Sequence, residues 1–158
     1  MPTPKGAPIW WEDAKQHLRR VDLKIAQIID NVEEPALIGE GDIVKTICNA
    51  VVGQQISAIA ADAIWKRLLD YCGGYFDPKS ITKLTIEDQK QIGLSQSKAR
   101  TLKGVASISE ELQGTDWSKM DSKEVDELLL PIWGIGPWTI DMVRIFSLLE
   151  PDILPLGD

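Results

Sequence analysis

Histidine is nearly absent: His17 is the only one in 158 residues, and it stands outside every motif described below and reads as a surface residue. Cysteine is almost as scarce. Cys48 and Cys72 both fall inside helix-like patterns and read as small buried hydrophobes. A disulfide between them is not expected, and two thiols alone assemble neither a zinc site nor an iron–sulfur cluster. No apolar run reaches the roughly 18 residues of a membrane helix, and the N-terminus "MPTPKGAPIWW" lacks a signal-peptide core. A cytoplasmic protein without membrane contact is therefore expected, nucleoid-associated in a bacterium or nuclear in a eukaryote. A basic excess is missing too. Lys and Arg number 17 against 24 Asp and Glu, a formal charge of −7, which argues against nucleic-acid binding through bulk attraction.

The charge is unevenly spread. Acids gather at Glu33, Glu34, Glu40 and Asp42 and again between Glu110 and Glu127, whereas "GLSQSKARTLKG" carries Lys98, Arg100 and Lys103 with no acid. A nucleic acid would have to bind a local patch of this kind. Strand-like alternation is nearly absent, nothing repeats at a fixed period, and apolar residues recur every three or four positions, so the expected fold class is all-α. With 44% hydrophobic residues, a chain of this length fits one domain or two small helical lobes.

Cap signals divide the helices. A first helix is expected over residues 10–20, and Asp22 can cap a second running to 29. Asp42 opens a third with Ile43, Val44, Ile47, Val51 and Val52 on its apolar side. "GQQIS" interrupts it, and Ser57 can cap a helix with a stripe of Ile59, Ala63, Ile64 and Leu68. Gly73 or Gly74 ends that helix in the left-handed conformation. Pro78 suits the first position of a short helix, and Thr85 with Asp88 resembles a capping box closed by Gly93. Ser95 can cap a helix running to about Gly114, Ser122 the next, and Pro137 begins the last, before an extended tail.

Between these last two helices lies "IWGIGPWT". A glycine turn between helices is either a plain packing hairpin or a backbone grip for an anion. The common nucleotide loops are excluded, because no strand precedes the glycines, no third glycine completes a dinucleotide fingerprint, and no Gly-Lys-Ser/Thr is present. What remains open is a helix N-terminus whose backbone N–H groups, aided by a dipole worth about 0.3–1 kcal/mol, hold a nucleic-acid phosphate.

"LLLPIWGIGPWTIDMVRIFSLLEPDILPLGD" resembles the helix-hairpin-helix motif, Gly/Pro-rich loop and aspartate of the HhH-GPD superfamily of base-excision DNA glycosylases. "GIGPWT" and "PDILPLGD" are similar to its 3-methyladenine DNA glycosylase II branch, and "AVVGQQIS" and "GLSQSKARTLKGVA" follow the same branch in the same order. The resemblance covers residues 42–158, the expected glycosylase core, and leaves 1–41 as an N-terminal helical segment packing on it.

It implies a monofunctional enzyme that excises alkylated purines of the 3-methyladenine type from double-stranded DNA in base excision repair. The hairpin Trp133, Gly134, Ile135, Gly136 and Pro137 would anchor a phosphate, with a monovalent cation, K+ or Na+, at the Gly134 and Gly136 carbonyls. Gln54 and Gln55 fall where the family inserts residues at the lesion. Trp138 and Met142 would line the base pocket. Trp138 stands where the related glycosylase-lyases carry lysine at that position or close by, so the resemblance implies that the Schiff-base route is closed, and an indole stacks favourably on a cationic methylated purine. Asp158 would be the catalytic carboxylate, stabilising the oxocarbenium character that grows on the sugar. No further cofactor and no iron–sulfur cluster are implied. Family members continue beyond this aspartate, so the expected fold lacks its C-terminal helices, which the full-length chain or another subunit would supply. A non-catalytic DNA-binding module or an inactive glycosylase fragment is the alternative.

Overall fold

The computed structural model describes residues 3–32 and 36–156; Glu33, Glu34 and Asp158 lie outside them. Ten α-helices and one pair of two-residue strands make up the described fold. The all-α expectation holds, and no described helix is long and apolar enough to cross a membrane.

Helix α3, Ile43–Gly53, is the hub. The Asp42 carboxylate accepts from Lys45 N at 3.0 Å and starts it. Ile43, Val44, Ile47, Cys48, Val51 and Val52 are all buried, at no more than 2% exposure. Each large aliphatic among them contributes about 1.5–3 kcal/mol relative to an exposed position. Around α3 pack α4 (Ala58–Tyr71), α7 (Gln96–Ser107), α8 (Ser109–Gly114) and α10 (Pro137–Val143). Such near-complete coverage requires a helix that is apolar on most sides. Burial pushes the Cys48 thiol well above its ordinary pKa, and Cys72, also a free thiol, is raised for the same reason.

Local caps follow the sequence signals. Ser57 caps α4, Asp77 caps α5 (Pro78–Thr82), and Thr85 and Asp88 close a capping box on α6 (Ile86–Ile92), which Gly93 ends at φ +89°. Four expectations need correction. The stripe of α4 runs through Ile64, Trp65, Leu68 and Cys72; Ile59 and Ala63 are exposed, because α4 is covered only on the side facing α3 and α6. The helix begun at Ser95 breaks at Ile108, φ −110° and ψ 18°, where Ser107 Oγ turns back to donate to Gly104 O at 2.7 Å. This local bond competes with helix propagation, and the bend turns α8 so that Leu112 reaches the core. Asp121, not Ser122, caps α9 (Ser122–Leu129), because its carboxylate and that of Glu124 complete a reciprocal capping box. Finally, β1 (Lys5–Gly6) pairs antiparallel with β2 (Gly39–Glu40), strands too short to leave an alternating pattern.

In the N-terminal segment the two helices and the strand pair make different contacts: β2 lies against the far end of the fold, at Leu149. α1 (Trp11–Val21) and α2 (Leu23–Asn31) lie chiefly on each other and bury none of their residues. Trp10 Nε1 ties their base to the far end of the fold by donating to Leu149 O at 2.9 Å. At that far end α10 passes into a wide π turn, Arg144–Leu148. Arg144 there donates to Ser122 O at 2.6 Å and Asp126 Oδ1 at 2.8 Å, which fixes α10 against the start of α9.

Candidate nucleic-acid interface and pocket

The turn between α9 and α10 is held closed by Ile135 N donating to Ile132 O at 3.0 Å, with the Ile135 side chain buried in the core. Its two glycines serve different purposes. Gly134 has φ +84°, and a Cβ there would stand 2.1 Å from Thr101 Oγ1 on α7. Only glycine permits both the left-handed backbone and the close approach. Gly136 is extended (φ −121°, ψ 178°), and a Cβ on it would meet nothing within 4 Å. It opens outward at the N-terminus of α10, where Gly136 itself has no side chain to serve as a cap. Pro137 takes the first helical position, as expected.

The structure separates the two glutamines. Gln54 Nε2 donates to Gly134 O at 3.1 Å and to Thr139 Oγ1 at 2.9 Å. Both amide protons are thereby committed to clamping the end of α3 to the hairpin and to α10. Gln55 is exposed and holds φ +55°, a conformation costing a non-glycine residue about 1–2 kcal/mol. Strain of this kind persists where the surroundings enforce it and clusters at functional sites. Lys98 enforces it here: its ammonium donates to Val52 O at 2.7 Å and Gln54 O at 2.8 Å. Lost hydration pushes its pKa down, and as a C-terminal cap of α3 it meets the negative end of the helix dipole. Lys98 therefore leaves the basic patch and becomes a brace for the glutamine turn. Replacing Gln54 with Ala is expected to lower stability by about 1–2 kcal/mol through the two lost bonds. Gln55→Ala should leave the denaturant midpoint unchanged or slightly raised, so urea melts of the two variants distinguish clamp from exposed finger.

Beside this turn opens a cavity of about 480 Å³, within the roughly 300–1,000 Å³ usual for small-ligand sites. Trp138, Met142 and Phe146 form one wall and Trp65 of α4 lies in another, stacked on Phe76 with ring centroids 5.9 Å apart. The structure thus brings together the two expected pocket residues, Trp138 and Met142, with Gly53, the residue before the two glutamines. Trp65 and Phe146 were not foreseen, since on their own helices they read as ordinary core positions. The remaining edge is polar: Glu40 and Lys45 form an ion pair of 2.5 Å, and Asn49 is exposed with no side-chain hydrogen bond among the described residues.

Both carbonyls expected to hold a cation already accept hydrogen bonds: Gly134 O from Gln54, and Gly136 O from Ile140 N at 3.1 Å. Each keeps its second lone pair, so a cation there would share these oxygens with the hydrogen bonds already made, and no step below runs through one. Among the described residues no group of three His, Cys, Asp or Glu could hold a metal. Asp141 lies 4.0 Å from Arg144 in an ion pair. His17 is exposed on α1.

The sequence profile of the HhH-GPD superfamily of base excision DNA repair proteins matches residues 48–158. DNA-3-methyladenine glycosylase 1 of Schizosaccharomyces pombe is 28% identical over 155 residues, covering 92% of this chain and 67% of that protein. DNA-3-methyladenine glycosylase of Bacillus subtilis is 30% identical over 135 residues, covering 77% of this chain and 45% of that protein. Among solved structures, the S. pombe 3-methyladenine DNA glycosylase in complex with abasic DNA superposes with a TM-score of 0.79 at 28% identity, covering 92% of this chain and 75% of that one. This chain therefore spans between about half and three quarters of these relatives.

Proposed function

The chain belongs to the HhH-GPD superfamily of base excision DNA repair proteins, and from that premise we propose that it is a monofunctional DNA glycosylase that hydrolyses the N-glycosidic bond of alkylated purines of the 3-methyladenine type. The observation carrying this reading is the convergence of a glycine hairpin, a strained exposed glutamine and a tryptophan-walled cavity at one edge of α3.

Chemistry on a base inside a duplex requires its extrusion, at a cost of a few kcal/mol, into a pocket gripping its flat faces. The hairpin from Trp133 to Pro137 holds a backbone phosphate through amides at Gly136 and the start of α10. Gln55 fills the vacated stack, while Gln54 keeps the hairpin in register with α3. Trp138 and Trp65 enclose the extruded base, and Met142 and Phe146 adapt the wall to it. A methylated purine is cationic, so the indole face gains a cation–π contribution on top of apolar burial. Asp158 stabilises the oxocarbenium-like sugar and orients the attacking water. The alkylated base is already a good leaving group, and no histidine is needed as acid. Lys45, the amine lining the pocket, is held by Glu40, so a lyase step lacks a free nucleophile there.

The test is release of free 3-methyladenine from methylated duplex DNA, read by mass spectrometry, with strands cut only after alkali. Binding to abasic DNA without base release would identify a non-catalytic module instead. Trp138→Leu supplies a finer check. It is expected to reduce the preference for a cationic methylpurine over neutral hypoxanthine by about 2- to 30-fold, the equivalent of about 0.5–2 kcal/mol. An unchanged ratio would remove the indole from the pocket.

A further inference from the structure

We propose that Arg100 on α7 is a second contact for the DNA backbone, extending the binding surface beyond the hairpin through a guanidinium held over Trp133. The inference rests on the hairpin meeting DNA. It begins from a shortage: a chain with net charge −7 must hold a polyanion with a few well-placed cations, since its overall field repels one. The acid-free stretch around α7 offers three. Lys98 is spent on the carbonyls of Val52 and Gln54. Lys103 is half-buried and lies within the field of the Asp88 carboxyl, which hydrogen bonds from Thr85 chiefly, and Lys103 least, hold below its usual range. Arg100 is exposed and bonds to no carboxylate or carbonyl among the described residues.

What Arg100 does touch is the first residue of the hairpin. Its Cζ lies 4.2 Å from the ring centroid of Trp133, whose side chain is 47% exposed. A guanidinium over an indole face keeps its five N–H donors in its own plane, so stacking orients the group without consuming a donor. Position is fixed from below as well. Ala99 and Thr101, on either side in sequence, are buried at 1% and 2% exposure, and Thr101 is the residue against which Gly134 is pressed. Arg100 and the amides near Gly136 thus sit on two elements locked in contact. A planar fork beside a backbone-amide site matches two oxygens of a phosphate. The contact carries no base information, so its partner is the sugar-phosphate backbone of any sequence.

Fluorescence anisotropy with a duplex containing an abasic-site analogue, titrated across a range of KCl concentrations, tests this. Arg100→Gln is expected to weaken binding about 5- to 10-fold at physiological salt and to make the slope of log K against log salt shallower by about 0.9, one phosphate contact. Undamaged duplex should lose the same factor. Arg100→Lys should keep the slope, because the charge stays, and lose part of the affinity, because the planar fork does not. Lys24→Gln on α2 removes the same charge from another exposed site and should leave the slope unaltered. An unchanged slope in Arg100→Gln, or an equal change in Lys24→Gln, overturns the proposal, and thermal melts within about 2 °C of the parent show that the fold was kept. A parent protein that binds no duplex DNA would overturn the functional reading itself. A parent that releases 3-methyladenine while Arg100→Gln binds as tightly would overturn only the role given to Arg100.

Discussion

Gly134→Ala is expected to lower folding stability by about 2–5 kcal/mol. An L-residue forced into the left-handed region costs about 1–2 kcal/mol, and the new methyl overpacks against Thr101, costing a further 1–3 kcal/mol or so. That clash is severe: the nearest atom, Oγ1 of Thr101, would lie 2.1 Å away, with Cβ and Cγ2 each at 3.1 Å. Thr101 is 2% exposed and belongs to a helix packed on the hub, so it cannot swing aside. Guanidinium unfolding curves read the loss. Thr101→Ala in the same chain should recover part of the steric share and none of the backbone strain. Gly136→Ala makes the contrast. With φ −121° and open space around its Cβ, it should stay within about 1 kcal/mol of the parent. Its methyl would, however, stand where a phosphate approaches, so DNA affinity should fall although stability does not. Equal stability in Gly134→Ala and the parent would mean that the hairpin is not pressed on α7.

Asp158→Asn is expected to reduce the single-turnover rate of base release by about 10²- to 10⁴-fold, the range for losing one positioned acid–base group, while binding to abasic DNA is retained. The substitution preserves shape and removes the charge that would face the oxocarbenium-like sugar. Among the described residues, the carboxylates at the pocket edge and on α10 are already engaged. Glu40, at the pocket edge, is paired with Lys45, and Asp141 is held by Arg144. The pairing of effects distinguishes roles: a lost rate with lost binding would indicate that Asp158 serves structure, and an undiminished rate would place the catalytic group elsewhere.

Much of the architecture was legible because its causes are local. Asp22, Asp42, Ser57, Thr85 and Ser95 each cap a helix by accepting an amide two or three residues ahead. Where competition was equally local but finer, the reading slipped by one position, as with Asp121 against Ser122. The pocket was half legible: Trp138 and Met142 lie on the helix that follows a distinctive turn, whereas Trp65 and Asn49 become pocket residues only because α4 and α3 face α10 across the cavity.

The sequence by itself determined the helical class, the order and caps of most helices, the family, and the pairing of a glycine turn with a tryptophan. The class, order and caps depend on periodicity and on bonds spanning a few residues, which spacing encodes directly, whereas the family is carried by the resemblance of its separated motifs. Only the tertiary structure decided that Gln54 is a clamp and Gln55 the exposed finger, that Lys98 braces α3, and that Arg100 rests on Trp133. Those roles arise from contacts between residues some 30 to 85 positions apart. Two adjacent glutamines, or two cations on one helix, are equivalent in sequence and become different once packing sets which of them faces a carbonyl and which faces water.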